Sequence, residues 1–286
     1  MKKYYLRGYL LIFFILCNSE IYGFQKKDNL QKETIKVLTW NIQDLGKSKS
    51  NEEIYTIAKI INDFDIVAIQ EVVAKDPGGA KAVAKIADEL NRMGNKWNYQ
   101  ISPPTKSPSN YIRERYAYLW KTSKLKIIKK ATLDTSLENV IEREPFLGEF
   151  EIAKNKEKLH FINIHARVYN RNPEMEIAYF KYYFKKLGTA NFIILGDFNL
   201  NENHTVWNPL YKLGFTAAIK KTPTSLKRKC KYGIYTNYPI DNIYFNTKFL
   251  KKVNANAIDF VGDCSNLLNS RKISDHLPVF LEFEYQ

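Results

Sequence analysis

The feature that most constrains this chain is a recurring unit: a short apolar, largely β-branched run that stops at a polar or charged residue. Residues 35–40 run into Asn41, residues 66–69 into Gln70 and Glu71, residues 159–164 into His165, and residues 192–195 into Gly196 and Asp197. Asp275 and His276 stand just before a further apolar run at 277–283. Runs of four to eight apolar residues with branched and aromatic enrichment predict buried strands. A rigid sheet that ends in charged side chains presents them to a shared cleft, so the chemistry of this chain is expected where its strands stop.

Between those runs the spacing changes. Ile54, Ile57, Ala58 and Ile61 fall on one face of a helix predicted over 52–62, and a second helix is predicted over 80–93. A third is predicted over 173–187, with Pro173 in its first turn. Further strands are predicted at 116–120, 126–128, 146–152 and 240–245. Three stretches read as loops, 76–79, 102–110 and the basic 220–231, and no internal repeat divides the chain. Many strands with interspersed helices on one core predict a single α/β domain, with two sheets face to face and helices outside.

The strand-end residues supply what phosphodiester hydrolysis requires: a metal to neutralise the phosphate, a base for water, and a donor for the leaving oxygen. Asn41, Glu71 and Asp275 are hard oxygen ligands of the kind Mg²⁺ takes in small number. Asp197 and Asn199 flank Phe198, so an extended backbone turns both polar side chains to one side. His165 and His276 are imidazoles able to work near neutral pH if each is oriented by a carboxylate, for which Glu114 and Asp241 are the candidates. Any one of these alone is more simply a turn former or a structural histidine; the ordered set points to chemistry.

Thr39-Trp40-Asn41-Ile42, Ile69-Gln70-Glu71-Val72, Gly196-Asp197-Phe198-Asn199 and Ser274-Asp275-His276-Leu277-Pro278-Val279, in this order, resemble the endonuclease/exonuclease/phosphatase superfamily. The resemblance implies a four-layer sandwich of two facing mixed β-sheets flanked by helices, and metal-dependent cleavage of phosphate esters. The stretches 113–120 and Arg143-Glu144-Pro145-Phe146 resemble the deoxyribonuclease I branch. That branch implies Glu114 paired with His165, Asp241 paired with His276, and Asp197 and Asn199 at the scissile phosphate. It also implies Asn41, Glu71 and Asp275 around Mg²⁺, with Mn²⁺ or Ca²⁺ as alternatives, and Arg143, Arg115 and Arg113 on DNA backbone phosphates. The implied reaction is attack of water on phosphorus of a DNA substrate, by a monomer, leaving 5′-phosphate ends. Gln43 and Val73 stand where that branch places arginines that enter the minor groove, which predicts a weaker groove contact. Tyr111 falls one place from a groove-packing tyrosine and reads equally as a loop residue.

Residues 1–23 carry Lys2, Lys3 and Arg7 ahead of an uncharged apolar run, the layout of a secretory signal peptide, with cleavage after Ser19 or Gly23 and residues 24–286 as the mature domain. The run is too short to span a bilayer. Leu16 before Cys17 does not suit lipoprotein processing, so a secreted or periplasmic protein is expected, without a lipid anchor. Removing Lys2, Lys3, Arg7 and Glu20 leaves 41 Lys+Arg against 29 Asp+Glu, a net +12 that attracts polyanions. Cys230 and Cys264 then remain, free to pair in an oxidising compartment. Two other functions fit the same residues: a phosphodiesterase acting on a phospholipid headgroup such as sphingomyelin, and a non-catalytic DNA- or surface-binding module.

Overall fold

The computed structural model describes residues 34–106 and 113–286, all within one compact unit. The signal segment expected at 1–23, Cys17, Tyr111 and part of the loop expected at 102–110 lie outside the described residues.

The strands form two six-stranded mixed sheets. The first contains β1 (Thr34–Leu45), β2 (Ile66–Val73), β3 (Trp97–Ile101), β4 (Glu114–Lys121), β13 (Leu250–Ala257) and β14 (Val279–Tyr285), in the order β13-β14-β1-β2-β4-β3. The second contains β5 (Leu125–Leu133), β6 (Phe146–Ile152), β7 (Lys158–His165), β8 (Phe192–Asp197), β9 (Phe215–Ala217) and β12 (Asp241–Asn246), in the order β5-β6-β7-β8-β12-β9. A separate hairpin pairs β10 (Leu226–Lys231) with β11 (Ile234–Thr236). In each sheet the central pair is parallel, β1 with β2 and β7 with β8, so both carry their polar C-terminal residues to the same edge.

Three apolar layers hold the sheets. Between them lies a cluster rich in aromatic rings, in which Phe150 meets Tyr118, Trp120 and Phe161 edge-on at 5.2–5.7 Å. Outside the first sheet pack α1 (Asn51–Ile61) and α2 (Gly78–Arg92), through Ile54, Ile57, Ile61, Val83, Ile86 and Leu90. The start of α1 is closed by a capping box between Ser50 and Glu53. Outside the second sheet pack α3 (Glu174–Ile177), α4 (Tyr183–Leu187) and α5 (Asn208–Lys212), around Phe180, Phe198, Trp207 and Tyr244. The expected four-layer sandwich is therefore the architecture.

Two expectations change. The helix predicted over 173–187 is two short helices joined by a 3₁₀ turn at Phe180–Tyr182. Its buried groups point in directions no single helix serves: Phe180 and Tyr183 enter the core, while the fully buried Glu176 accepts from Arg167 N at 2.8 Å and faces Arg167 Nε at 2.9 Å. The basic stretch 220–231, read as a loop, contains the strand β10. Leu226 is buried with Val261, Leu267 and Leu277, its amide donates to Asp275 O at 2.7 Å, and Cys230 is disulfide-bonded to Cys264 ahead of α6 (Leu267–Ile273). Lysine-rich composition concealed a strand anchored by tertiary contacts.

Candidate active site

Strand register alone brings three of the candidate residues into a row. His165 ends β7 opposite Asp197 at the end of β8, and Asp197 in turn lies opposite Asp241 at the start of β12. Gly196 permits that approach: its φ is +145°, and a Cβ there would sit 1.9 Å from Ile164 O, so only glycine fits. The facing sheet contributes Asn41, Glu71 and Glu114 from β1, β2 and β4. Glu71 has φ +60° and lies where the pairing of β2 with β4 slips between Ile69 and Val72. A left-handed non-glycine residue costs about 1–2 kcal/mol, and this one turns its carboxylate into the cleft.

Each imidazole is gripped by a buried carboxylate. Glu114 Oε1 and Oε2 lie 3.0 and 2.9 Å from His165 Nδ1, and Asp241 Oδ1 and Oδ2 lie 3.1 and 2.9 Å from His276 Nδ1. The two free Nε2 atoms converge on one oxygen, Asp197 Oδ2, at 3.5 Å from His165 and 3.8 Å from His276. Burial alone would discourage protonation of His276, but the charges of Asp241 and Asp197 outweigh it and push its pKa up to about 10. For His165 burial again opposes the proton, and Glu114 raises the net pKa despite Arg143 nearby. Burial, then the charge of Asp241, raise the pKa of Asp197. Asn199 lies beside this group, its amide N donating to Asp197 Oδ1 at 2.9 Å and its Nδ2 to Ala166 O at 3.1 Å.

The donors suit a hard divalent cation. Asn41 Nδ2 donates to Glu71 Oε1 at 2.9 Å and to Asp197 Oδ2 at 3.1 Å, while the buried Asn41 Oδ1 has no hydrogen-bond partner among the described residues. Burial raises the pKa of Glu71, the behaviour of a carboxylate in need of a compensating cation. Asp197, Asp241 and His276 also bring one ligand atom each within 4.8 Å of one another. Asp241 in that trio already holds His276 and accepts from Thr224 Oγ1 at 2.7 Å, so Glu71 with Asn41 offers the less committed oxygens. Asp275, expected beside them, instead faces Arg271 at 3.4 Å and His276 Nε2 at 3.9 Å.

The three arginines part company. Arg113 is exposed and lines a cleft of 280 Å³ together with Glu71, Glu114, Arg143 and His165. Arg143 borders the same cleft but is only 8% exposed. Its Nε lies 3.3 Å from Glu114 and its Nη2 3.9 Å from Glu142, so it braces the His165 pair. Arg115 alternates to the other side of β4 from Glu114 and donates to Ser102 O at 3.0 Å, away from the cleft. Other contacts brace the site from outside the expected set. Ser274 Oγ donates to Asn41 O at 2.6 Å and accepts from His276 N at 3.0 Å, tying the segment ahead of β14 to β1 within the first sheet. Trp40 Nε1 donates to His276 O at 2.8 Å. Ser274 lies two residues from His276 in the same motif, a hint the sequence does carry; Thr224 lies 17 residues from Asp241 in an ordinary polar stretch and carries none.

The chain is similar to known proteins in sequence and in fold. Residues 38–276 match the model of the Endonuclease/Exonuclease/phosphatase family. A deoxyribonuclease of Thioalkalivibrio sp. (strain K90mix) is 24% identical over 270 residues, covering 87% of this chain and 71% of that protein. Among solved structures, an endonuclease/exonuclease/phosphatase family protein from Bacteroides thetaiotaomicron superposes with a TM-score of 0.65 at 15% identity, over 90% of this chain and 99% of that one. A mannosyl-6-phosphatase of Bacteroides thetaiotaomicron does so at 0.62 and 15% identity, over 87% and 99%. These structural likenesses speak to the fold.

Proposed function

The chain belongs to the endonuclease/exonuclease/phosphatase family, and from that premise we propose that it is a divalent-metal-dependent endonuclease that hydrolyses DNA with little sequence specificity. The observation that carries this reading is the convergence of two carboxylate-held imidazoles on one Asp197 oxygen, beside the Glu71 and Asn41 oxygens. The deoxyribonuclease relative and the basic charge favour DNA as the ester cleaved.

Under this reading the two histidines divide the proton work. Arg143 beside Glu114 weakens that carboxylate's hold on the His165 proton, which suits His165 to accept a proton from the attacking water. His276 sits among Asp241, Asp197 and Asp275 and keeps its proton at neutral pH, which suits it to donate that proton to the departing 3′ oxygen. The P–O3′ bond breaks as the new P–O bond forms, leaving a 5′-phosphate. Asp197 holds both imidazoles facing the phosphate, and Asn199 fixes Asp197. Glu71 and Asn41 would hold a divalent ion, Mg²⁺ foremost, which would supply the charge that neutralises the phosphate. The disulfide favours an oxidising compartment, in keeping with export through the segment 1–23.

The test is a substrate panel with a metal series: supercoiled plasmid, RNA and sphingomyelin vesicles with Mg²⁺, Mn²⁺, Ca²⁺ or EDTA, and end-mapping of the products. Plasmid nicking that EDTA stops, with 5′-phosphate ends, is expected. Sphingomyelin turnover outpacing nicking, or plasmid left intact by folded protein with every metal, would overturn the reading.

A further inference from the structure

The hairpin of β10 and β11 grows out of the active site. Ser225 forms a bridge with His276, Leu226 N donates to Asp275 O at 2.7 Å, and Leu277 N donates to Thr224 O at 2.6 Å. The hairpin is held from a second side by α6 and the turn before it. Arg271 Nη1 donates to Leu226 O at 2.9 Å and to Lys227 O at 3.4 Å, and the Cys230–Cys264 disulfide ties the far end of β10. Between these supports lies an open groove of 540 Å³, walled by Lys227, Arg228, Lys229, Lys231, Arg271 and Asp275.

The charge of this groove is unbalanced. Asp275 pairs with Arg271, while no carboxylate lies within ion-pair distance of Lys227, Arg228, Lys229 or Lys231 among the described residues. Four cations fixed on a stapled strand repel one another, and an anion with regularly spaced charges offsets that repulsion. Asp275 lines the groove, and its Oδ1 lies 3.9 Å from His276 Nε2. The groove and the imidazole of His276 therefore share Asp275 as a neighbour. A bilayer is a poorer occupant, because the cations line a concavity and the apolar tip is only Tyr232 and Ile234.

We propose that this stapled basic hairpin binds the phosphate backbone of the substrate strand beyond the scissile bond. The inference rests on the nuclease reading and specifies where that enzyme holds its polymer. Its contacts are to phosphate, so binding is independent of base sequence and falls steeply with salt.

The experiment compares the exposed triple variant Arg228→Gln/Lys229→Gln/Lys231→Gln with a charge-matched control, Lys126→Gln/Lys129→Gln/Lys130→Gln on β5. Binding of a fluorescent oligonucleotide in EDTA is read by anisotropy over a salt series, and turnover is read on plasmid and on bis(p-nitrophenyl) phosphate. The hairpin variant is expected to weaken oligonucleotide binding about tenfold or more and to flatten the log–log salt slope by about 2, as loss of three phosphate contacts requires. Its plasmid KM rises while turnover of the small ester, which does not reach the groove, stays at the wild-type rate. The control variant is expected to bind almost as the wild type does. Equal loss in both variants, an unchanged slope, or a loss confined to phosphatidylserine vesicles would overturn the proposal. A wild type that binds oligonucleotide through the hairpin yet cleaves no phosphodiester would sink the nuclease reading and leave the hairpin contact standing.

Discussion

At the scale of single residues, each histidine here is half of a unit whose other half comes from a distant stretch. Asp241 fixes the Nδ1 side of His276, and Thr224 fixes Asp241. The His276 pKa is raised from 6.5 to about 10 by charge that outweighs burial. A raised folded-state pKa contributes stability that is fully present below the unfolded value and is lost as pH climbs through the folded one. The wild type in EDTA is therefore expected to lose stability between pH 6.5 and about 10, and Asp241→Asn to remove most of that slope, read by urea melts across pH. The catalytic candidates were legible because they border apolar runs: His165 and Asp197 end β7 and β8, Glu114 and Asp241 open β4 and β12, and His276 stands ahead of β14. Their partners were less so. The pairing of Glu114 with His165 and of Asp241 with His276 follows from family resemblance; Thr224 reaches the Asp241 carboxylate and Ser274 reaches backbone groups through hydroxyls that leave no periodic trace. Arg115 follows Glu114 on β4 and so leaves the strand on the opposite face, where it donates to Ser102 O.

At the scale of elements, the catalytic row depends on the parallel register of β7 with β8 and on the aromatic layer that presses the sheets together. Phe161 lies fully buried in that layer, on the strand that ends in His165. Phe161→Ala is expected to cost about 3–5 kcal/mol, measured by chemical denaturation, and to lower activity in proportion to the unfolded fraction. Strands with branched runs, such as 146–152, were readable to the residue. Those that escaped are β3, β9, β13 and the basic hairpin, which are short, half-exposed or lysine-rich; their positions come from pairing with neighbours, a non-local cause. The helix expected over 173–187 broke because buried anchors overrode its spacing.

At the scale of the whole molecule, a sheet built from both ends of the described chain and a sheet built from its middle close on one cleft, and the disulfide joins positions 34 residues apart. A loop of that length is worth about 3–4 kcal/mol when closed, so Cys230→Ser/Cys264→Ser is expected to lower the unfolding free energy by that order in guanidinium melts. In the proposed reaction both imidazoles act on one phosphate at the meeting point of the sheets. The measurement that tests it most directly is Mg²⁺-dependent nicking of supercoiled plasmid by His165→Ala, by His276→Ala and by the double variant, each verified as folded. Each single variant is expected to lose about 10²–10⁴-fold, and the double variant little more than the worse single one, because the pair works as a unit. Wild-type nicking by either single variant would contradict the account.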